Sequence, residues 1–177
     1  MNRTRPPRLG IDIGRVIIAG SHSHGGDTAF FSGDEATMLA TPEVAGAVDC
    51  IADLVDAVDG DVWLISKCGQ RIQDRTRRWL RANDFFVRTG VRPQHLRFCR
   101  TRGDKRLHCV ELGLTHFVDD HPEVHAAIRG TVDHQYFFGP QRRLVPGWAH
   151  HAPTWPDALR QIRGTLARRD ARDGMAG

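Results

Sequence analysis

Short apolar runs recur along the chain, and between them apolar residues are spaced three or four positions apart. Runs of this length, rich in aliphatic and aromatic residues, are typical of strands buried in a sheet. They predict strands at Leu9–Ile13, with a hairpin arm at Val16–Ala19, and at Asp61–Ser66, Leu96–Cys99, His116–Asp119 and His134–Phe138.

The intervals between these strands predict helices. The first begins with Thr41 as N-cap, has Pro42 and Glu43 in its first turn, and ends at Gly60. Further helices are predicted at Gly69–Asn83, Asp104–Leu112, Pro122–Arg129 and Trp155–Arg168, and a loop at Gly20–Gly33. We therefore expect an α/β fold, a Rossmann-like three-layer sandwich whose mostly parallel central sheet of about five strands carries helices on both faces.

Length and composition agree with one domain. A chain of 177 residues with 40% hydrophobic and 26% charged residues is typical of globular proteins, which excludes disorder or a coiled coil over the whole chain. We expect one domain at residues 9–168, a basic tail at 1–8 and a flexible tail at 169–177. Neither a transmembrane helix nor a signal peptide is predicted. The four cysteines form no CxxC pair, which favours free thiols and a cytoplasmic location.

The net charge of +4 is unevenly distributed. Nine acidic residues and no lysine or arginine lie within residues 20–65, whereas twelve basic residues lie within residues 71–106. The basic stretch could bind an anionic partner, and Arg71, Arg75 and Arg78 share one side of a predicted helix that follows the second strand. A solvated, arginine-rich surface is an equally favoured alternative.

Polar side chains of complementary chemistry follow four of the predicted strands: Asp12, Ser66, Lys105 and the pair Asp119–Asp120. The carboxyl ends of parallel strands form one edge of the sheet, where α/β proteins bind ligands. Three carboxylates there repel one another unless a cation lies between them, and oxygen ligands suit Mg²⁺. Ser66 before a helix N-terminus, together with Lys105, suits a phosphoryl group. The set therefore predicts phosphoryl transfer with Asp12 as the nucleophile.

These residues stand in four motifs in order: Leu9-Gly-Ile-Asp12-Ile-Gly14-Arg, Leu64-Ile-Ser66, Lys105, and Phe117-Val-Asp119-Asp120. Together they resemble the motifs of the haloacid dehalogenase-like (HAD) hydrolase superfamily, mostly Mg²⁺-dependent phosphatases, and the resemblance extends from Leu9 to about Leu166. It implies that Asp12 is nucleophile and metal ligand, that Ser66 binds the phosphoryl group, and that Lys105 steadies both. It implies Asp119 and Asp120 as further Mg²⁺ ligands, Asp120 being the closer. Lys67 and Arg71, beside the second motif, are additional substrate-binding candidates.

Gly14 departs from the resembled pattern, which usually has a second aspartate at this position as the general acid/base. The backbone carbonyl of Gly14 still offers a metal ligand, but the proton donor is lost, a contribution of roughly 10² to 10⁴ in rate. Three outcomes stay open. The chain is a slow phosphatase, or a phosphatase whose acid comes from elsewhere, with His22 and His24 as candidates, or a degenerate protein that binds phosphate, metal or a partner without turnover.

Superfamily members that act on small metabolites usually carry a cap over the site. The gaps at 20–40 and 69–102 leave no room for a cap domain, so the resemblance implies a capless or minimal-cap member. An open cleft excludes water poorly, which favours a bulky phosphorylated substrate, macromolecules included, or a second subunit that covers the site in a homodimer. Nucleic acid is a less favoured partner because no interleaved aromatic residues offer a stacking platform, and no membrane partner is expected.

Overall fold

The computed structural model describes residues 5–20 and 29–175. Its centre is a parallel sheet of six strands in the order β3-β2-β1-β4-β5-β6. The strands are β1 Leu9–Ile11, β2 Val62–Lys67, β3 Leu96–Cys99, β4 His116–Asp119, β5 His134–Phe138 and β6 His150–Ala152. The helices are α1 Ala29–Ser32, α2 Glu35–Leu39, α3 Ala47–Ala57, α4 Gln70–Ala82, α5 Phe85–Thr89, α6 Lys105–Leu112, α7 Pro122–Ile128 and α8 Trp155–Met175, with a 3₁₀ turn at Pro93–His95.

Helices cover both faces of the sheet, so the predicted α/β Rossmann-like fold is confirmed. On one face, α3 and α8 pack on the strands through a large apolar cluster that includes Ile51, Leu54 and Ile162. On the other face, α6 and α7 contribute Cys109 and Ile128 to a second, smaller cluster. The sheet is therefore buried on both sides, as its near-continuous apolar strands require.

Close packing at the middle of the sheet explains the glycine in β1. A Cβ atom on Gly10 would lie 2.4 Å from the Phe117 ring and 2.7 Å from the Leu114 side chain, closer than real Cβ contacts. Gly10 is paired with Phe117 in the parallel register of β1 and β4. The absence of a side chain on Gly10 thus lets the Phe117 ring fill this space, beside the strand end that leads to Asp12.

Two parts of the sheet region differ from the expected elements. A sixth strand, β6, pairs with β5, and no apolar run marks it because it is three residues long and begins with two histidines. Residues 16–19 do not form the expected hairpin arm. They make a turn closed by Ile17 N–H donating to the Ile13 carbonyl at 2.8 Å, with isolated bridges from Ile18 to Gly14 and Glu43.

Helix α3 begins at Ala47 rather than directly after Thr41. The Thr41 hydroxyl donates to the Thr37 carbonyl oxygen instead of capping a helix, and the Glu43 carboxylate binds Arg88 at 2.8 Å. Tertiary contacts therefore occupy the side chains that would cap and stabilise an earlier helix start.

The chain is also more helical than the sequence indicates. Helix α5 follows α4 directly, and α1 begins at residue 29 inside the stretch expected to be a loop. Helix α8 continues to Met175, beyond its predicted end at Arg168. No helix within the described ranges is long and apolar enough to cross a membrane.

Three arginines of α4, which we call the arginine clamp, bind the segment that carries α1 and α2. Arg75 donates to the Phe30 carbonyl at 2.7 Å and to the Gly33 carbonyl at 2.6 Å, Arg71 donates to the Phe31 carbonyl at 2.8 Å, and Arg78 pairs with Glu35 at 3.1 Å. Carbonyl oxygens near the end of a short helix lack intrahelical partners, and guanidinium groups satisfy them here. These three arginines therefore fasten α1 and α2 to α4, while Arg71 and Arg78 remain exposed and form part of a solvated surface.

Candidate active site

A cleft of about 710 Å³ lies at the carboxyl edge of the sheet. All six strands run parallel, so the loops that follow β1 to β5 meet at this edge. Within the described residues, every predicted site residue except Arg71 lines this cleft: Asp12, Gly14, Ser66, Lys67, Lys105, Asp119 and Asp120. The sequence therefore identified side chains that the fold brings into one cavity.

Lys105 holds the ends of two strands together. Its Nζ lies 2.5 Å from Asp12 Oδ1 and 2.7 Å from Asp119 Oδ2, and only 2% of its side chain is exposed. Burial lowers the pKa of Lys105, but the two carboxylates outweigh burial and raise this pKa well above its usual value. The ammonium group therefore stays charged and fixes Asp12 against Asp119.

Three carboxylates form the floor of the cleft. Asp12, Asp119 and Asp120 offer oxygen atoms that all lie within 4.8 Å of one another. Burial is the main cause that raises the pKa of Asp12 to about 7, with Lys105 opposing and Asp119 adding to the rise. Burial and then Asp119 raise the pKa of Asp120 to about 6, against the effect of Arg15. The positive charge of the nearby side chains thus does not compensate the three acids fully.

The two adjacent aspartates have different partners. Asp119 accepts through both oxygens, from Lys105 and from the His121 backbone N–H at 2.8 Å. Asp120 Oδ2 pairs with Arg15 Nη2 at 2.8 Å, and the Arg15 side chain is 61% exposed. Because an exposed arginine exchanges its partner at little cost, Asp120 is the carboxylate that an incoming cation can engage more readily.

A buried histidine, His125 on α7, supports the position of Asp119. His125 Nε2 donates to the Asp119 carbonyl oxygen at 2.9 Å, and Nδ1 lies 3.0 Å from the side-chain oxygen of Gln135. The His125 ring stacks on Phe137 with centroids 3.8 Å apart. Sequence reasoning gave no site role to His125 or to Arg15. Adjacency to the first motif was a signal for Arg15, whereas only the fold reveals His125.

The predicted phosphoryl-binding residues lie at the end of β2. Ser66 is 8% exposed and lines the cleft, and the exposed Lys67 lines it too. Gly69 follows as the N-cap of α4. Arg71 differs from the expectation: it is not among the residues that line the cleft, and its guanidinium is turned to the Phe31 carbonyl.

The remaining walls are of two kinds. Phe30, Phe31 and Ile72 form an apolar side that the arginine clamp holds in place, and Arg102 and Arg142 add positive charge. A Cβ atom on Gly14, also in the lining, would meet no atom within 4 Å. The predicted substitute proton donors, His22 and His24, lie outside the described residues.

Comparison with known proteins places the fold. No family model matches the chain, and no curated protein matches it. Among solved structures it is similar to the D,D-heptose 1,7-bisphosphate phosphatase from B. bronchiseptica, which was crystallised in complex with magnesium and phosphate. The TM-score is 0.58 at 13% sequence identity, over 89% of this chain and 99% of that one. The chain therefore shares the α/β Rossmann-like fold of that phosphatase.

Proposed function

We propose that the protein is a Mg²⁺-dependent phosphatase of the HAD-like type, which hydrolyses phosphate monoesters through a phosphoryl intermediate on Asp12. One observation carries the proposal: a buried lysine bridges Asp12 and Asp119, beside Asp120, in a cleft that also contains Ser66. Nucleophile, phosphoryl-binding groups and candidate metal ligands thus occupy one cavity. The fold shared with a phosphatase solved with magnesium and phosphate supports the proposal.

The donor set suits a hard divalent cation. Asp12, Asp119 and Asp120 offer only oxygen atoms, within 4.8 Å of one another, and only two cations, Lys105 and Arg15, pair with the three carboxylates in the described part of the chain. These carboxylates, with the Gly14 carbonyl, are the groups that would hold Mg²⁺. When bound, Mg²⁺ would neutralise charge on the phosphoryl oxygens. The chain's own side chains would supply the nucleophile and the groups that bind the phosphoryl oxygens.

The reaction would proceed in two displacements. A carboxylate oxygen of Asp12 attacks phosphorus, the ester P–O bond breaks, and its electron pair leaves with the alcohol oxygen, which takes a proton from solvent. Water then attacks the phosphorus of the aspartyl-phosphate, the P–O bond to Asp12 breaks, and phosphate, the Asp12 carboxylate and one proton to solvent are released. Lys105 holds Asp12 Oδ1, which leaves Oδ2 as the attacking atom, and Ser66 and Lys105 bind phosphoryl oxygens.

Gly14 favours a second candidate function. No side chain at this position can protonate the leaving alcohol, so the alternative is a degenerate HAD-like protein that binds phosphate, metal or a protein partner without turnover. The intact lysine–carboxylate arrangement is the reason to prefer the enzyme, because binding alone does not require a positioned nucleophile.

We further propose that the site is capless and the protein cytoplasmic. Within residues 29–46, the segment before α3 contains only the short helices α1 and α2. A phosphorylated substrate large enough to cover the cleft, or a second subunit, would then exclude water. Cys50, Cys68, Cys99 and Cys109 are all free and buried, which supports a reducing compartment.

The test is hydrolysis of para-nitrophenyl phosphate with and without Mg²⁺, by wild type, Asp12→Asn and the matched control Asp56→Asn. Asp56 is exposed on α3, outside the cleft. We expect Mg²⁺-dependent hydrolysis that Asp12→Asn abolishes and Asp56→Asn leaves unchanged. Wild-type turnover no faster than Asp12→Asn would refute the enzyme. Calorimetric binding of phosphate with Mg²⁺ in that case would leave the binding module as the function.

A further inference from the structure

The cationic side chains of the cleft are not all accounted for by the proposed reaction. Lys105 and Arg15 pair with the three carboxylates of the floor, and Arg102 pairs with Glu123 at 3.4 Å. Lys67 and Arg142 also line the cleft, and neither has an acidic partner in the described part of the chain. Two cations therefore remain for a ligand.

Lys67 and Arg142 lie on opposite sides of the nucleophile. In the sheet order, β2 flanks β1 on one side, whereas β5 lies beyond β4 on the other. Lys67 ends β2 next to Ser66, so it joins the groups expected to bind the phosphoryl group. At a spacing of about 4.8 Å per strand, the ends of β2 and β5 are roughly 14 Å apart. Arg142 follows the end of β5 by four residues, so its backbone leaves the sheet on the other side of Asp12 from Lys67.

The formal charges in the cleft also assign Lys67 and Arg142 different roles. Lys105 and Arg15 leave the three carboxylates with one net negative charge. A divalent cation and a phosphoryl dianion cancel each other, and Lys67 then neutralises the floor. The charge of Arg142 stays uncompensated. An unpaired cation facing a ligand cavity attracts a second negative group of the ligand.

The turn that carries Arg142 is anchored to the site. The side-chain amide of the preceding residue, Gln141, donates to the Asp120 carbonyl at 3.2 Å and to the Phe138 carbonyl at 2.8 Å. Gly139 adopts φ 71°, and its N–H donates to the Ala152 carbonyl of β6 at 3.0 Å. The backbone beside Arg142 is therefore tied to the chain at Asp120, while the Arg142 side chain itself is exposed.

We propose that Arg142 binds a second negatively charged group, a carboxylate or a second phosphate, on the alcohol part of the substrate. The substrate class is thus a small phosphate ester with two acidic groups at opposite ends, so a second subunit, rather than the substrate itself, would cover the open cleft. This inference rests on the proposed function for the position of the phosphoryl group. Phe30, Phe31 and Ile72 line the same cleft and suit an aromatic or aliphatic body of the ester.

The experiment compares two isosteric esters, para-carboxyphenyl phosphate and para-carbamoylphenyl phosphate, which differ in one negative charge. The enzymes are wild type, Arg142→Ala and Arg143→Ala, the last a matched control because Arg143 is exposed and outside the cleft. We expect wild type and Arg143→Ala to prefer the carboxylate in kcat/KM by about tenfold or more, the size of one charge-assisted hydrogen bond, and Arg142→Ala to lose the preference. Gln141→Ala removes the hydrogen bonds that hold the turn, and we expect this change to weaken the preference for the carboxylate ester as well.

A binding arm separates this inference from the proposed function. Calorimetry with Mg²⁺ compares the non-hydrolysable para-carboxybenzyl and para-carbamoylbenzyl phosphonates with the bisphosphonate of the same ring. Tighter binding of an acidic ligand that depends on Arg142 supports the subsite even if no ester is hydrolysed, and the better of carboxylate and bisphosphonate identifies the second group.

Other outcomes would overturn the inference. Hydrolysis of both esters without an Arg142-dependent preference, with equal phosphonate affinities, would leave the phosphatase in place and remove the subsite. An Arg142-dependent gain seen only with a phosphorylated oligonucleotide would overturn the assignment to a small diacid.

Discussion

Restoring the missing carboxylate at position 14 tests the proposed chemistry most directly. The change is Gly14→Asp. A Cβ atom at Gly14 would meet no atom within 4 Å, and the position is not among the glycines with positive φ, so the new side chain fits without strain. It would stand two residues after Asp12 in the lining of the same cleft.

The expected gain outweighs the electrostatic cost. General acid catalysis contributes roughly 10² to 10⁴ in rate, or about 2.7 to 5.5 kcal/mol of activation free energy. A fourth carboxylate repels each of the three in place by roughly 2 kcal/mol, at a separation of about 8 Å and an effective dielectric constant of about 20. Lys105 and Arg15, which pair with these carboxylates, attract it and offset two of the three repulsions, so the net cost is roughly 2 kcal/mol, which Mg²⁺ would reduce. We therefore expect higher turnover together with slightly lower stability in the absence of Mg²⁺.

The assay measures kcat on two esters with Mg²⁺. Glycerol phosphate releases a strongly basic alkoxide that needs a proton, whereas para-nitrophenyl phosphate releases a stable phenolate that does not. Gly14→Asp is expected to accelerate the first about a hundredfold or more and the second only slightly. Gly14→Asn controls for the side chain without the acid. Gly69→Asp controls for added charge, because Gly69 also lines the cleft and has no atom within 4 Å of its Cβ position.

Two results would refute this reasoning. An equal gain with Gly14→Asn, or on both esters, would show that proton donation is not the cause. A loss of turnover on glycerol phosphate in a folded, Mg²⁺-binding Gly14→Asp variant would show that the wild type already has a donor, with His22 and His24 the first residues to replace.

Two further predictions concern stability. Lys105→Met leaves two buried carboxylates without their shared cation, so the free energy of unfolding should fall by about 3 kcal/mol or more. Urea unfolding measures this loss, which should be smaller when Mg²⁺ is present. An equal loss in the exposed control Lys67→Met would contradict the prediction. Burial and the neighbouring His134 lower the pKa of His116 to about 3, so the unfolded chain binds its proton first as pH falls below about 6.5, and stability should decrease from pH 8 to pH 5 by about 2 kcal/mol from this group. Urea unfolding of His116→Gln should show a correspondingly weaker pH dependence, and an unchanged slope would refute the assignment.

The elements predicted correctly from the sequence are those marked by a pattern of neighbouring residues. Strands β3, β4 and β5 have the predicted bounds, because each is an apolar run between clear turn residues. Helix α6 ends as expected, with Gly113 at φ 61° as its C-cap. The side chains at the strand ends could be placed in one cleft because parallel strands present their carboxyl ends at one edge.

The elements that differ from the prediction depend on contacts between segments that are distant in sequence. Strand β6 follows a loop rich in proline and glycine and becomes a strand only through pairing with β5. The start of α3 shifts because Glu43 binds Arg88, forty-five residues away in sequence. The contact of Arg71 with the Phe31 carbonyl was not predicted for the same reason, because Phe31 belongs to a distant segment that no local pattern identifies.

The arginine clamp also changes what the high isoelectric point of about 9.2 means. Isoelectric points count every guanidinium group equally, but Arg71 and Arg75 direct theirs at peptide carbonyls and Arg78 pairs with an acid. Three of the twelve basic residues within residues 71–106 are thus engaged by the chain's own carbonyl and carboxylate oxygens. Adsorption to polyanions such as heparin should be weaker, and less sensitive to salt, than the isoelectric point suggests.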